Sequence, residues 1–134
     1  MSTYPNAIAW FEIYVDDLAR AKQFYSTVLG ISFQDVPAPD GSDDLQMSFF
    51  PCDPDPAAMR VGGALVYMDG ARVAGVPSTS TMVYFPCEDC SVEASRVEAA
   101  GGTLHKPKFP IGEFGFCAIC LDSEGNTFGL HSMQ

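Results

Sequence analysis

Two residues of this chain combine the side-chain types that proton transfer needs. Glu12 interrupts the apolar run 8–15, and His131 lies in the strand-like run 127–132. A carboxylate in apolar surroundings has its pKa raised toward the range of a general base, and a nearby imidazole can orient or protonate it. The sequence therefore predicts Glu12 and His131 as catalytic residues. The alternative is that Glu12 pairs with an arginine or a backbone amide near a rim, and that His131 caps an exposed end of a sheet.

A second carboxylate, Glu113, stands between glycines in the segment I-G-E-F-G at 111–115. Glycine-flanked loops can act as lids that close over a bound substrate. The segment therefore predicts a mobile flap that carries Glu113 over the site as a third catalytic residue. The alternative is the tip of a β-hairpin with a solvated glutamate.

The cysteines form two C-x-x-C pairs, Cys87 with Cys90 and Cys117 with Cys120, which is a spacing found in zinc sites. The second pair lies inside an apolar strand, where residues three apart point to opposite faces and cannot bind one ion. The pattern therefore favours buried, inert thiols. A redox pair at Cys87 and Cys90 is the alternative.

An internal repeat organises these residues. When the chain is shifted by 72 residues, segment 10–17 falls on 82–89, and each of these segments is rich in apolar residues and ends in an acidic pair. The next segments, 18–29 and 90–101, carry apolar stripes typical of helices and end at glycines. Three further strand-like runs follow each of them.

This order predicts an α+β fold with mostly antiparallel strand pairing. The two halves are tandem β-α-β-β-β modules, about 7–68 and 80–133, joined by 69–79 within a single domain, 1–134. Strand alternation then assigns side chains to faces, and one face of each sheet is left to hold a ligand. The side chains predicted to bind a substrate there are Trp10, Tyr14, Leu65, Tyr67, Met82 and Tyr84.

Charge limits the partners of the protein. Seven basic residues against 17 acidic ones give a formal net charge of −10, which argues against binding to nucleic acid or to an anionic membrane. A neutral or cationic small molecule fits this charge better. No basic-then-apolar leader and no apolar stretch of about 18 residues occurs, and the cysteine count of five is odd. These features predict a cytoplasmic protein with reduced thiols.

The chain resembles the vicinal oxygen chelate superfamily, which includes glyoxalase I, bleomycin-resistance proteins and extradiol dioxygenases. Segment 15–30 is similar to the opening motif V-x-D-L-x-R-A-x-x-F-Y-x-x-V-L-G of that superfamily, and segment 122–126 is similar to its D-P-E-G-N motif. The resemblance extends from about Ala7 to His131. It implies two modules whose strands form a cupped sheet around a pocket, usually in a homodimer.

The resemblance also implies where metal ligands would lie, at Trp10, Met82, Gly129 and Gly63. None of these offers a carboxylate or an imidazole, so no metal and no other cofactor is expected. Two functions follow as hypotheses: metal-independent acid/base chemistry of the lyase or isomerase type on a carbonyl metabolite, or non-catalytic sequestration of a ligand, as in bleomycin resistance. A relocated metal bound by Glu12 and His131 is a third.

Overall fold

The computed structural model describes residues 6–37, 45–52, 55, 61–68 and 81–134. The predicted linker, 69–79, lies outside the described residues. The chain forms two compact units. We call Trp10–Thr81 the N-terminal unit, and Met82–Gln134 together with residues 1–9 the C-terminal unit.

The N-terminal unit contains four strands and one helix. They are β1 (Trp10–Tyr14), α1 (Leu18–Leu29), β2 (Gln34–Val36), β3 (Leu45–Phe49) and β4 (Gly62–Met68). The strands lie in the order β2-β3-β4-β1. The β1–β4 pair is parallel and the other two pairs are antiparallel.

The C-terminal unit repeats this arrangement. Its elements are β5 (Thr81–Pro86), α2 (Cys90–Ala94), β6 (Thr103–Pro110), a 3-10 helix (Gly112–Phe114), β7 (Phe116–Leu121) and β8 (Thr127–Ser132). The strand order is β5-β8-β7-β6, with β5–β8 parallel and the rest antiparallel. The predicted α+β fold of two β-α-β-β-β modules with mostly antiparallel pairing is confirmed. The predicted cupping around a pocket stays a prediction.

Local capping explains where the helices begin. The Asp17 carboxylate accepts a hydrogen bond from the Arg20 backbone N–H at 3.0 Å, and the Asp89 carboxylate accepts one from the Ser91 N–H at 3.0 Å. Each bond satisfies a backbone donor that has no partner within its helix. Helix α1 ends at Gly30, whose φ of +66° is a left-handed conformation that suits glycine.

Helix α2 is shorter than the sequence predicts. The helical pattern extends over 90–101, but α2 ends at Ala94 and turns follow. The Ser95 hydroxyl donates to the Val92 carbonyl oxygen at 2.6 Å. Serine side chains compete in this way with the backbone bonds of a helix, so Ser95 ends α2 after five residues.

Each unit buries a different set of side chains. The core of the C-terminal unit contains Cys87, Cys90, Ala94, Ala118, Cys120 and Leu130. In the N-terminal unit the buried residues concentrate on β4, where Ala64, Leu65 and Val66 are at most 2% exposed. Helix α1 has no buried residue. Within the described ranges, no helix has the length and apolar character needed to cross a membrane.

Candidate functional site

Glu12 lies in the middle of β1 and is only 8% exposed. Trp10 Nε1–H donates to Glu12 Oε2 at 3.2 Å, and the Tyr14 hydroxyl donates to Glu12 Oε1 at 2.9 Å. The three residues alternate along one strand, so their side chains share a face. Hydrogen bonds to both oxygens favour the charged carboxylate and restrict its orientation.

The neighbouring rings show which face this is. The Trp10 and Phe49 ring centroids lie 4.9 Å apart. Phe11 points the other way: its ring covers Gly63 and packs on Phe50, which in turn contacts Tyr25 of α1. The side chains of Trp10, Glu12 and Tyr14 therefore lie on the sheet face opposite α1, as strand alternation predicts.

The placement of Leu65 and Tyr67 on that face is wrong. Leu65 pairs with Ser48 across β3 and β4, and the Ser48 hydroxyl donates to Asp35 Oδ1 at 2.6 Å. The same Asp35 oxygen accepts from Lys22 Nζ of α1 at 2.8 Å, so this side of the sheet faces α1. Tyr67 is two residues after Leu65 and shares its face.

The error has one cause, which is a shift of one residue on β4. Tyr84 pairs with Gly129, and Glu12, the counterpart of Tyr84 in the repeat, pairs with Ala64. The position equivalent to Gly129 is therefore Ala64 and not Gly63. Because side chains alternate along a strand, a slip of one residue moves every side chain to the other face.

In the C-terminal unit, Tyr84 and Gly129 are in direct contact. A Cβ added to Gly129 would overlap the Tyr84 ring, so this ring lies flat against the glycine. Phe85 points to the other side and packs on Phe128, which contacts the core beneath α2. Met82, which is 5% exposed, alternates with Phe85 and shares the face of Tyr84.

His131 lies on the same face of β8 as Gly129. Its Nε2 is 2.6 Å from the Phe114 carbonyl oxygen, which can only accept a hydrogen bond. The imidazole therefore carries a proton on Nε2 and holds the turn that contains Glu113. In the neutral ring only Nδ1 can then accept a proton, so a catalytic role for His131 would have to use Nδ1.

Glu113 is exposed in the 3-10 helix. Gly112 and Gly115 on either side have φ values of +68° and +98°, and the Ile111 N–H donates to the Gly115 carbonyl oxygen at 2.9 Å. The turn is thus closed by its own backbone as well as by His131. The flap motion and a catalytic role for Glu113 stay predictions. Glu12 and His131 lie in different units, and their pairing is likewise still a prediction.

The cysteines form no disulfide, and four of the five are buried. Cys120 faces the core with Cys90, whereas Cys117 pairs with His131 on the opposite face, as predicted from their spacing. Burial raises the pKa of the Cys87 thiol to about 12, and the Glu93 carboxylate beside it acts in the same direction. Because the thiolate is the reactive form, this environment disfavours the redox alternative for Cys87 and Cys90.

The positions where the resemblance implies metal ligands do not fit a metal. With the register corrected, they are Trp10, Ala64, Met82 and Gly129. The Trp10 indole N–H donates to Glu12, and the other three provide no oxygen or imidazole ligand. Among the described residues, no group of three His, Cys, Asp or Glu side chains is arranged to hold a metal ion.

Sequence reasoning missed two partners. Phe49 forms a wall beside Trp10, and the Phe114 carbonyl binds His131. The I-G-E-F-G segment indicates a turn at 111–115. The sequence does not show that the Phe114 backbone carbonyl accepts a hydrogen bond from His131, because every residue has such a carbonyl. Strand alternation predicts that Trp10, Glu12 and Tyr14 share a face, but it does not predict the hydrogen bonds between them.

The family model for the bleomycin resistance protein-like N-terminal region matches residues 8–41. Two curated proteins, from Mycobacterium bovis and Mycobacterium tuberculosis, are named as candidate glyoxylases, CFP32. Each is 25% identical to the chain over 124 residues, which is 90% of this chain and 43% of the relative. The chain thus spans less than half the length of these curated relatives.

Solved structures share the fold at low identity. A variant of methylmalonyl-CoA epimerase from Streptomyces coelicolor, bound to 2-nitronate-propionyl-CoA, is 14% identical with a TM-score of 0.66, over 94% of this chain and 96% of that one. The hypothetical protein BH1468 from Bacillus halodurans is 10% identical with a TM-score of 0.66, over 95% and 94%. A variant of 4-hydroxymandelate synthase from S. coelicolor is 18% identical with a TM-score of 0.65, over 98% and 39%.

Proposed function

We propose that the chain is a member of the vicinal oxygen chelate superfamily and that it binds a small organic molecule on the sheet face that carries Trp10, Glu12 and Tyr14. We further propose that Glu12 acts there as an acid/base group in metal-independent chemistry of the lyase or isomerase type on a carbonyl metabolite. The observation that carries this proposal is a carboxylate that is 8% exposed and receives hydrogen bonds on both oxygens.

The hydrogen bonds suit Glu12 to proton transfer because they hold the carboxylate in one orientation on β1, which lowers the cost of aligning it with a substrate carbon. A proton next to a carbonyl group is acidic enough for a carboxylate base to remove in a desolvated site.

Four residues of the C-terminal unit keep their predicted roles in this proposal. His131, with Nδ1 as its accepting atom, and Glu113 are proposed catalytic residues. Met82 and Tyr84 are proposed substrate-binding residues. An epimerase bound to a coenzyme A ester is among the structures of the same fold, but shared fold does not fix function.

Proton exchange tests the enzymatic proposal. The protein is incubated in D₂O with EDTA and either methylmalonyl-CoA or 2-oxobutanoate, and loss of the proton next to the carbonyl is followed by ¹H NMR. We expect exchange above the rate without protein for at least one compound. Exchange at the protein-free rate for both, or exchange that EDTA abolishes, would contradict the proposal.

Sequestration is the second candidate function, since the matching family model is named for bleomycin resistance. A net charge of −10 and aromatic side chains beside a carboxylate suit a cationic ligand. The probe is bleomycin, titrated while the fluorescence of Trp10, the single tryptophan, is recorded. Saturable binding that weakens with salt, together with no proton exchange, would favour this function over catalysis.

The proposal includes a cytoplasmic homodimer. None of the five cysteines forms a disulfide, which fits a reducing compartment. On α1, Phe24, Val28 and Leu29 are each more than half exposed, which fits contact with another copy. Light scattering at micromolar concentration should give about twice the 14.4 kDa mass of the chain, and a monomer mass would contradict the dimer.

A further inference from the structure

The N-terminal unit contains a cleft of about 330 Å³ at one end of its sheet. Trp10 begins β1, Gln34 begins β2, Phe49 ends β3 and Gly62 begins β4, and all four line the cleft. A volume near 300 Å³ is at the lower end of the range for small-molecule sites. The cleft is therefore large enough for a compound of one or two rings.

Aromatic side chains form two walls of this cleft. Trp10 and Phe49 meet edge to face with centroids 4.9 Å apart, and Phe33 and Phe50 do the same at 4.8 Å. Rings in such pairs are held rigidly and present faces and edges to a third ring. This lining favours a flat aromatic ligand over a branched aliphatic one.

The described polar side chains of the cleft are uncharged. Ser32 and Gln34 are exposed and line it with a hydroxyl and a carboxamide. Among the described residues that line the cleft, none carries a formal charge, although the chain as a whole has a net charge of −10. An anion would be repelled by the net charge of the whole chain and would meet no cation among these described residues, whereas a neutral group with a donor and an acceptor could bind both side chains.

Gly62 also lines the cleft. A Cβ at this position would lie 2.9 Å from Trp10 Cζ3 and 3.8 Å from Cys52 Sγ. The indole thus turns its benzo edge toward the cleft while its N–H donates to Glu12. Cys52 lies at the other side and is the one exposed cysteine of the five.

We propose that this cleft is a binding site for an uncharged, planar aromatic compound with one hydrogen-bonding edge, of the aromatic carboxamide class. This site is distinct from the Glu12 carboxylate, and binding there does not require a catalysed reaction. Trp10 is the wall that the two sites share, so a bound ring would contact the residue that orients Glu12.

The test uses the single tryptophan as reporter. Protein labelled with ¹⁵N is titrated with benzamide, and the one indole N–H signal is followed by NMR. Two matched probes change one property each: benzoate adds a charge, and cyclohexanecarboxamide removes planarity and aromaticity. We expect benzamide to bind saturably, with an affinity on the order of millimolar for so small a compound, and both matched probes to bind at least about tenfold more weakly.

Cys52 allows the cleft to be blocked without mutating its walls. N-ethylmaleimide should label the exposed Cys52 in the native protein and weaken benzamide binding at least about tenfold. The matched control is C52S, whose affinity for benzamide should be the same before and after the same treatment. Equal binding of benzoate, no saturable shift with benzamide, or undiminished binding after labelling would overturn the proposal. Failure of the proton-exchange experiment would leave these results unaffected, since none of them depends on Glu12 chemistry.

Discussion

The two units place different side chains at the same register position. In the N-terminal unit Glu12 on β1 pairs with Ala64 on β4, and in the C-terminal unit Tyr84 on β5 pairs with Gly129 on β8. Glu12 is bound by donors from its own strand, whereas Tyr84 fills the space above a glycine. One backbone arrangement thus supports a polar group in one unit and apolar packing in the other.

The helices differ in a related way. Helix α1 has 12 residues and buries none of them, while α2 has five residues and buries Cys90 and Ala94. Burial in the C-terminal unit therefore involves both its helix and its sheet face. At these positions the N-terminal unit therefore carries a reactive carboxylate, whereas the C-terminal unit is the better packed of the two.

The largest expected effect is on chemistry at Glu12. E12Q removes the negative charge and keeps the shape, so proton exchange should fall by about 100- to 10,000-fold, the usual contribution of a general base. The matched change at the equivalent position, Y84F, should leave exchange close to that of the wild-type protein. The measurement is the initial exchange rate by ¹H NMR, with E98Q as an exposed glutamate control. A similar loss in E12Q and Y84F would remove the distinction between the units.

The next effect is on packing. G129A introduces a Cβ that overlaps the Tyr84 ring, and the resulting strain should lower the free energy of unfolding by about 1–3 kcal/mol. Urea denaturation measures this loss. The double variant Y84A/G129A should lose less unfolding free energy than Y84A and G129A lose in sum, because without the ring the added Cβ overlaps nothing. Simple additivity would show that the ring and the glycine do not interact.

A third effect should appear at alkaline pH in the C-terminal unit. Burial raises the pKa of the Cys87 thiol from an ordinary value of 9.0 to about 12, so folding keeps this thiol protonated. Its contribution to stability is complete below pH 9 and is lost as pH rises toward 12, by about 1.4 kcal/mol per pH unit at most. The difference in unfolding free energy between wild type and C87A should therefore change across this range. A difference that stays constant from pH 8 to pH 11 would contradict the buried thiol.

Much of the fold followed from local patterns. The repeat predicted two β-α-β-β-β modules, and alternation placed Trp10, Glu12 and Tyr14 on one face of β1. The end of α2 at Ala94 was missed, because the helical pattern runs on to the glycines while a single hydroxyl, on Ser95, takes the Val92 carbonyl oxygen. For the candidate site, the sequence predicts Glu12, but it does not predict the hydrogen bonds from Trp10 and Tyr14 or their distances.

The register of β4 could not be predicted from the repeat in the sequence. Glu12 and Tyr84 are 72 residues apart, whereas their partners Ala64 and Gly129 are 65 apart, so the repeat does not transfer from the first strands to the last ones. Alternation within a strand depends on the backbone of that strand alone, so it could be predicted from the sequence. Pairing between strands that are distant in the chain depends on loop length and packing, and therefore the structure alone decided that Leu65 and Tyr67 face α1 and that His131 binds the Phe114 carbonyl.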